Sequence, residues 1–200
     1  ASLKKFGKGE VISLVYPIND SKTTPESLLE KILEISSQRY EVDLAIGAYV
    51  WCEDVLTSLL TQLRESGFTG RIILGGPQIS YTPSGLEELY PEADIFVRGY
   101  GEMAIVGLFN EPNTERIQGV HFAGEEDLNE QTVVDLSILP SPWISSTIDL
   151  KNQQFIRWES QRGCPFRCSF CQHKEAGMRL ERRELEEERV ATEIDMFCSS

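Results

Sequence analysis

The chain has 200 residues, with 19 basic against 32 acidic side chains and a formal charge of −13, so the basic footprint of a nucleic-acid-binding protein is missing. Its 40% apolar and 26% charged content is ordinary for a soluble globular protein, and no apolar run approaches the ~20 residues that cross a bilayer. The length suits one large domain or two small ones. Five cysteines are an odd count, and nothing at the start reads as a secretory leader, so the thiols are expected to stay reduced in the cytoplasm, without membrane or nucleic-acid partners.

Val11 to Tyr16 reads as a buried strand stopped by Pro17 and the Asn19-Asp20 turn pair. Thr24 as N-cap and Pro25 at the first helical position then predict a helix to about Ser37, with Leu28, Leu29, Ile32, Leu33 and Ile35 on its apolar face. Val42 to Ala48 is a second strand. Asp54 to Glu65 is a second helix, carrying Val55, Leu56, Leu59, Leu60 and Leu63 inward and ended by Gly67. Arg71 to Leu74 is a third strand, running into Gly75-Gly76-Pro77. A short helix around Ser84 to Tyr90, a strand at Ala93 to Arg98, a helix from Glu102 to about Asn110 and a last strand at Gly119 to Phe122 follow. Apolar strands alternating with amphipathic helices predict an α/β fold, a doubly wound parallel sheet covered on both faces.

Such sheets bind ligands beyond the carboxyl ends of their strands, where this chain places Gly75-Gly76 and Gly99 and Gly101. Glycine there either admits a ligand close to the backbone or simply permits a tight turn; the pattern alone leaves both open. The dinucleotide fingerprint G-x-G-x-x-G is absent after the first strand, which argues against nicotinamide or flavin. Trp51, after the second strand, either stacks on a planar ligand or packs on a neighbour.

Thr132 to Trp143 is a connector in which Pro140 and Pro142 forbid helix and Leu136, Leu139 and Trp143 are pinned by packing. Phe155 to Ser160 alternates like a strand and delivers Cys164 to a loop. There Cys164, Cys168 and Cys171 stand at C-x3-C-x2-C spacing, with Gly163 allowing a sharp turn and Pro165 stiffening the first step. Three converging thiolates can hold three irons of a cubane 4Fe–4S cluster and leave the fourth open to another ligand. Zinc is the competing reading, with His173 as fourth ligand. It normally takes two close pairs of ligands, and a Cys3His set inside ten residues would be cramped. From Leu180 the chain is a highly charged helix with apolar Leu185, Val190, Ile194 and Phe197, its charges a solvated face.

The cysteine motif, with Phe170 before the last thiol, resembles that of radical S-adenosylmethionine (SAM) enzymes. The block Leu74-Gly75-Gly76-Pro77-Gln78-Ile79-Ser80 with Val97-Arg98-Gly99-Tyr100-Gly101-Glu102 resembles the cobalamin-binding domain that precedes many of their catalytic domains. Gln78 stands where His is common, and Tyr100 where Glu is common. The resemblance implies a Rossmann-like cobalamin-binding domain over residues 1–125 and a linker over 126–150. Residues 151–200 would be the first strand–helix unit of a truncated radical SAM barrel. It implies a 4Fe–4S cluster on Cys164, Cys168 and Cys171, with Phe170 beside SAM. Cobalamin would be edged by Gly75, Gly76, Pro77, Gln78, Gly99, Gly101 and Glu102, and bound without a histidine ligand to cobalt, because D-x-H-x-x-G is missing after the first strand.

In that family the open iron chelates SAM, and reductive cleavage yields a 5′-deoxyadenosyl radical. The substrate would be a small molecule or peptide, the reductant a flavodoxin or ferredoxin, and the reaction a methyl transfer or another radical conversion. A chain stopping after one barrel unit is expected to be an N-terminal piece, inactive alone. The alternative is a non-catalytic cobalamin carrier or a vestigial docking module.

Overall fold

A computed structural model describes residues 1–38, 41–112, 114–151, 155–164, 166, 168–170 and 183–199. A short helix α1 (Ser2–Phe6) is followed by α2 (Pro25–Ser37), which starts as the sequence predicts. The Thr24 side chain accepts from the Ser27 amide while Ser27 Oγ accepts from the Thr24 amide, a reciprocal cap that occupies two otherwise orphaned donors. The strand β1 (Leu44–Gly47) leads through a 3-10 turn (Val50–Cys52) into α3 (Glu53–Glu65), which Gly67 ends at φ +82°. Next come β2 (Ile72–Gly75), α4 (Pro77–Tyr81), α5 (Leu86–Leu89), β3 (Ile95–Val97), α6 (Glu102–Asn110) and β4 (Val120–Phe122).

The sheet order is β1-β2-β3-β4. The first three strands are parallel, in register from Leu44↔Ile72 and Ile73↔Ile95, whereas β4 runs antiparallel to β3, with Ile95↔Phe122. The sheet is therefore mixed, correcting the all-parallel expectation for its last strand. Successive strand residues point to opposite faces. Ile72, Leu74 and Phe96 enter a core with Ile32 of α2 and Leu56, Leu59, Leu60 and Leu63 of α3. Ile73, Ile95 and Val97 enter a second core with Ala104 and Leu108 of α6. Helices cover both faces, so the central strands read as unbroken apolar runs.

Val11 to Tyr16 is not a strand. β1 pairs directly with β2, leaving no place between them, and Ile12, Leu14, Val15 and Tyr16 are exposed, Val15 to 88%. β-branched composition alone does not make a strand, and residues 11–16 pair with no strand among the described residues.

Beyond the sheet, Leu136 and Leu139 join Val134 in a third apolar cluster against Tyr100, Met103 and Leu185. The buried Trp143 ring meets Phe197 edge-on at 5.3 Å, and Trp158 meets the same ring at 5.7 Å. The connector is thus pinned where the sequence places its packing residues. Residues 155–160 form no strand. The ladder there is a two-residue antiparallel pairing of β5 (Gln161–Arg162) with β6 (Arg183–Glu184), followed by α7 (Glu187–Cys198). A first parallel unit of a barrel is not seen among the described residues. The helix also begins seven residues later than Leu180, because residues 183–184 pair with β5 instead. Its charges are not all solvated: Glu193 is 1% exposed.

Candidate cofactor site

At the carboxyl end of β2, Gly76 has φ +97°, and a Cβ there would lie 2.9 Å from the Ala48 carbonyl oxygen. Ala48 N–H donates to Gly75 O at 2.7 Å and Gln78 N–H to Ala48 O at 3.3 Å, tying this loop to the end of β1. Pro77 is exposed and opens α4. At the end of β3, Gly99 has φ +79° and a Cβ there would meet Thr132 O at 2.7 Å, while a Cβ on Gly101, the N-cap of α6, would meet Val97 Cγ1 at 2.9 Å. The glycines at 76, 99 and 101 therefore each answer a demand of the chain's own backbone or packing. The tight-turn alternative is sufficient for them.

Arg98 joins the two glycine loops, and sequence reasoning missed it. Its side chain is 1% exposed and donates to Ile79 O at 2.9 Å, to Thr82 O, and to Asp127 Oδ2 at 2.5 Å. Ser80 Oγ accepts from Gly99 N–H at 2.9 Å, and Gln131 Nε2 donates to Ser80 O at 3.0 Å. Burial alone pushes the Asp127 carboxyl upward, but hydrogen bonds from Arg98 and the Asn129 amide, with Arg98's charge, bring its pKa below the ordinary range. The signal in the sequence was a lone cation closing the apolar run Ile95-Phe96-Val97.

Glu102, at the first position of α6, pairs with Arg162 of β5, whose guanidinium also lies 4.9 Å from the Tyr100 ring centroid and reaches Glu159 Oε2 at 2.9 Å. Burial opposes the Arg162 charge, yet Glu102 and Glu159 outweigh it and raise its pKa. Arg162 Nη1 and Glu102 Oε2 are buried and have no hydrogen-bond partner among the described residues. Arg162 precedes Gly163, at φ +79°, and Cys164. The glycine loop at 99–102 and the cysteine loop are thus brought together through one side chain.

Cys164 is half-buried and Cys168 exposed, and both are free thiols, as are Cys52 and Cys198. Phe170 is exposed in a turn with Ser169. Pro165, Cys171 and His173 lie outside the described residues, and among the described residues no three metal-binding side chains converge. The described donors, Cys164 and Cys168, fit an iron–sulfur group: soft thiols, unpaired, on a loop that turns at Gly163. His121 does not serve the loop ends. It is buried on β4 with Nε2 2.9 Å from Glu87 Oε1 and its ring stacked on Phe96. At the carboxyl end of β1, Trp51 stacks on Tyr49 at 4.9 Å, and both rings remain exposed. Trp51 therefore packs on a neighbour and still presents surface.

The chain is 28% identical over 192 residues to the cobalamin-dependent radical SAM methyltransferase TokK of Streptomyces tokunonensis. It is 28% identical over 194 residues to a 2-(S-pantetheinyl)-carbapenam-3-carboxylate methyltransferase of Streptantibioticus cattleyicolor. The resemblance to cobalamin-binding radical SAM proteins is borne out. Each match covers 87% of this chain and 28% of the relative, so the chain spans little more than a quarter of their length. No family model matches it. Among the described residues no helix is long and apolar enough to cross a membrane.

Proposed function

We propose that this chain is part of a radical SAM enzyme, a methyltransferase, that carries its cluster on Cys164, Cys168 and Cys171. The observation that carries this reading is the pair of free thiols, Cys164 and Cys168, opening the C-x3-C-x2-C loop of a chain whose named relatives are methyltransferases. A bound cluster of this type would supply an open iron for SAM and the electron for its reductive cleavage. The chain's own part is to present three thiolates on a loop braced by Arg162, and to offer Phe170 for contact with SAM. Gly75, Gly76, Pro77, Gln78, Gly99, Gly101 and Glu102 border the proposed cobalamin edge, with the exposed Tyr49–Trp51 pair at the same end of the sheet. Residues 1–125 are then the cobalamin-binding unit, 126–150 the linker and 151–200 the cluster-bearing segment. A small-molecule substrate and a flavodoxin or ferredoxin reductant follow from the same reading.

Anaerobic reconstitution with iron and sulfide tests it. The expected product is brown and holds about four irons per chain, and each of Cys164→Ser, Cys168→Ser and Cys171→Ser lowers that content sharply. A protein that takes zinc in preference, or no iron, refutes the assignment.

A second reading, in which the upstream sheet is a docking scaffold without a corrin, draws on the glycines, since own-chain contacts account for those at 76, 99 and 101. Titration with hydroxocobalamin followed by its visible spectrum separates the two.

A further inference from the structure

A cavity of about 510 Å3 lies between α1, α6, the connector and α7, within the range of small-molecule sites. One wall is apolar: Leu136, Leu139, Pro140, Pro142, Trp143 and Ile148. The lining also carries Glu102, Arg157, Glu159, Arg162, Arg189 and Glu193. Most of these charges are already matched. Arg162 holds Glu102 and Glu159. Arg189 holds Glu193 at 2.9 Å and donates to Leu139 O at 2.6 Å, and Glu193 also accepts from Trp158 Nε1 at 2.5 Å.

Two lining cations have no carboxylate partner among the described residues, Arg157 and Lys4, and both are exposed at the rim. Arg157 approaches the Phe155 ring centroid at 5.8 Å. Counted without the terminal amine, four lining cations (Lys4, Arg157, Arg162, Arg189) against three carboxylates leave a net charge of +1, in a chain whose total is −13. A cavity with an apolar wall and unmatched cations at its rim suits a ligand with an apolar body and an anionic head.

We propose that this cavity binds a small amphipathic organic anion, its head at Arg157 and its body against Trp143 and Ile148. The site stands on its own lining residues. It bears on the radical SAM reading in that Glu102, at the proposed cobalamin edge, and Arg162, two residues before Cys164, form part of its wall.

Calorimetric titration of the metal-free protein with decanoate, and with decanol as the uncharged counterpart, tests this. One decanoate per chain is expected, bound at least about tenfold more tightly than decanol, with an affinity that falls as salt is added. Arg157→Glu, at an exposed position, is expected to remove about that tenfold advantage and leave decanol binding unchanged. Ile148→Trp, which fills the cavity from a partly exposed position, is expected to abolish both. Equal affinity for acid and alcohol, or decanoate binding unaffected by either substitution, overturns the proposal. Because no metal is present, neither result depends on whether the cysteine loop assembles a cluster.

Discussion

Replacing Asp127 by Asn tests whether Arg98 is the brace between the two glycine loops. The guanidinium is 1% exposed and its carboxylate partner 20%. Removing one partner of a buried ion pair typically costs ~3–5 kcal/mol, because the remaining charge is left uncompensated. Here the Asn carbonyl still accepts from Nη2, Ile79 and Thr82 still offer their carbonyls, and Asp127 is partly hydrated, which brings the expected cost to ~2–3 kcal/mol. With a urea slope of ~2 kcal/mol per molar, the unfolding midpoint falls by ~1–1.5 M at unchanged slope, followed by far-UV circular dichroism. The double variant Arg98→Met/Asp127→Asn supplies the control. Without a charge to strand, its loss is smaller than the sum of the single losses by ~1 kcal/mol or more. A midpoint shift below ~0.3 M for Asp127→Asn, or strict additivity in the cycle, refutes the reasoning.

Gly99→Ala forces a side chain onto φ +79° and drives its Cβ to 2.7 Å from Thr132 O; a loss of ~2 kcal/mol or more in the same urea experiment is expected, and a neutral result would contradict the turn geometry. Asp127 and Glu193 both have folded pKa values below their ordinary ones. Their stabilisation is therefore present above the ordinary carboxylate value of ~4 and is lost as pH falls through the depressed values; stability measured from pH 6 downward should drop in that window, and less so in Asp127→Asn. Arg162→Ala and Glu102→Gln each release the same brace, so tryptic cleavage beyond Gly163 should accelerate about fivefold in either single variant and no further in the pair. Multiplying effects in the pair would show that the two residues act separately.

What the sequence disclosed about this molecule follows from how far apart the interacting residues lie. The cap of α2 is written in Thr24, Pro25 and Ser27, and the end of α3 in Gly67, all within a turn of the structure they fix. The cysteine spacing is equally local, and so is the apolar run of β2, whose burial on both faces needs no partner to be named. Val11 to Tyr16 has the same local look and failed, because a strand is a relation to an edge and β1 gave its inner edge to β2. The reversal of β4 is set by the path between α6 and Gly119, where no short-range signal specifies direction.

The braces of the candidate site are less legible still. Arg98 and Asp127 are 29 residues apart, and Arg162 and Glu102 come from opposite sides of the connector. Each looks on the page like one of many surface charges in an acidic chain. A charge that terminates an apolar strand, as Arg98 does, is costly to bury unless partners wait for it. Its position after Val97 was therefore a request for an acceptor, and Ile79, Thr82 and Asp127 answer it. The same logic applies to Arg162, the last residue of a two-residue strand just before the cysteine loop. The glycine motif and the cysteine motif are separate lines in the sequence, and the pair Arg162–Glu102 makes them neighbours, so a change at either loop has a direct physical route to the other.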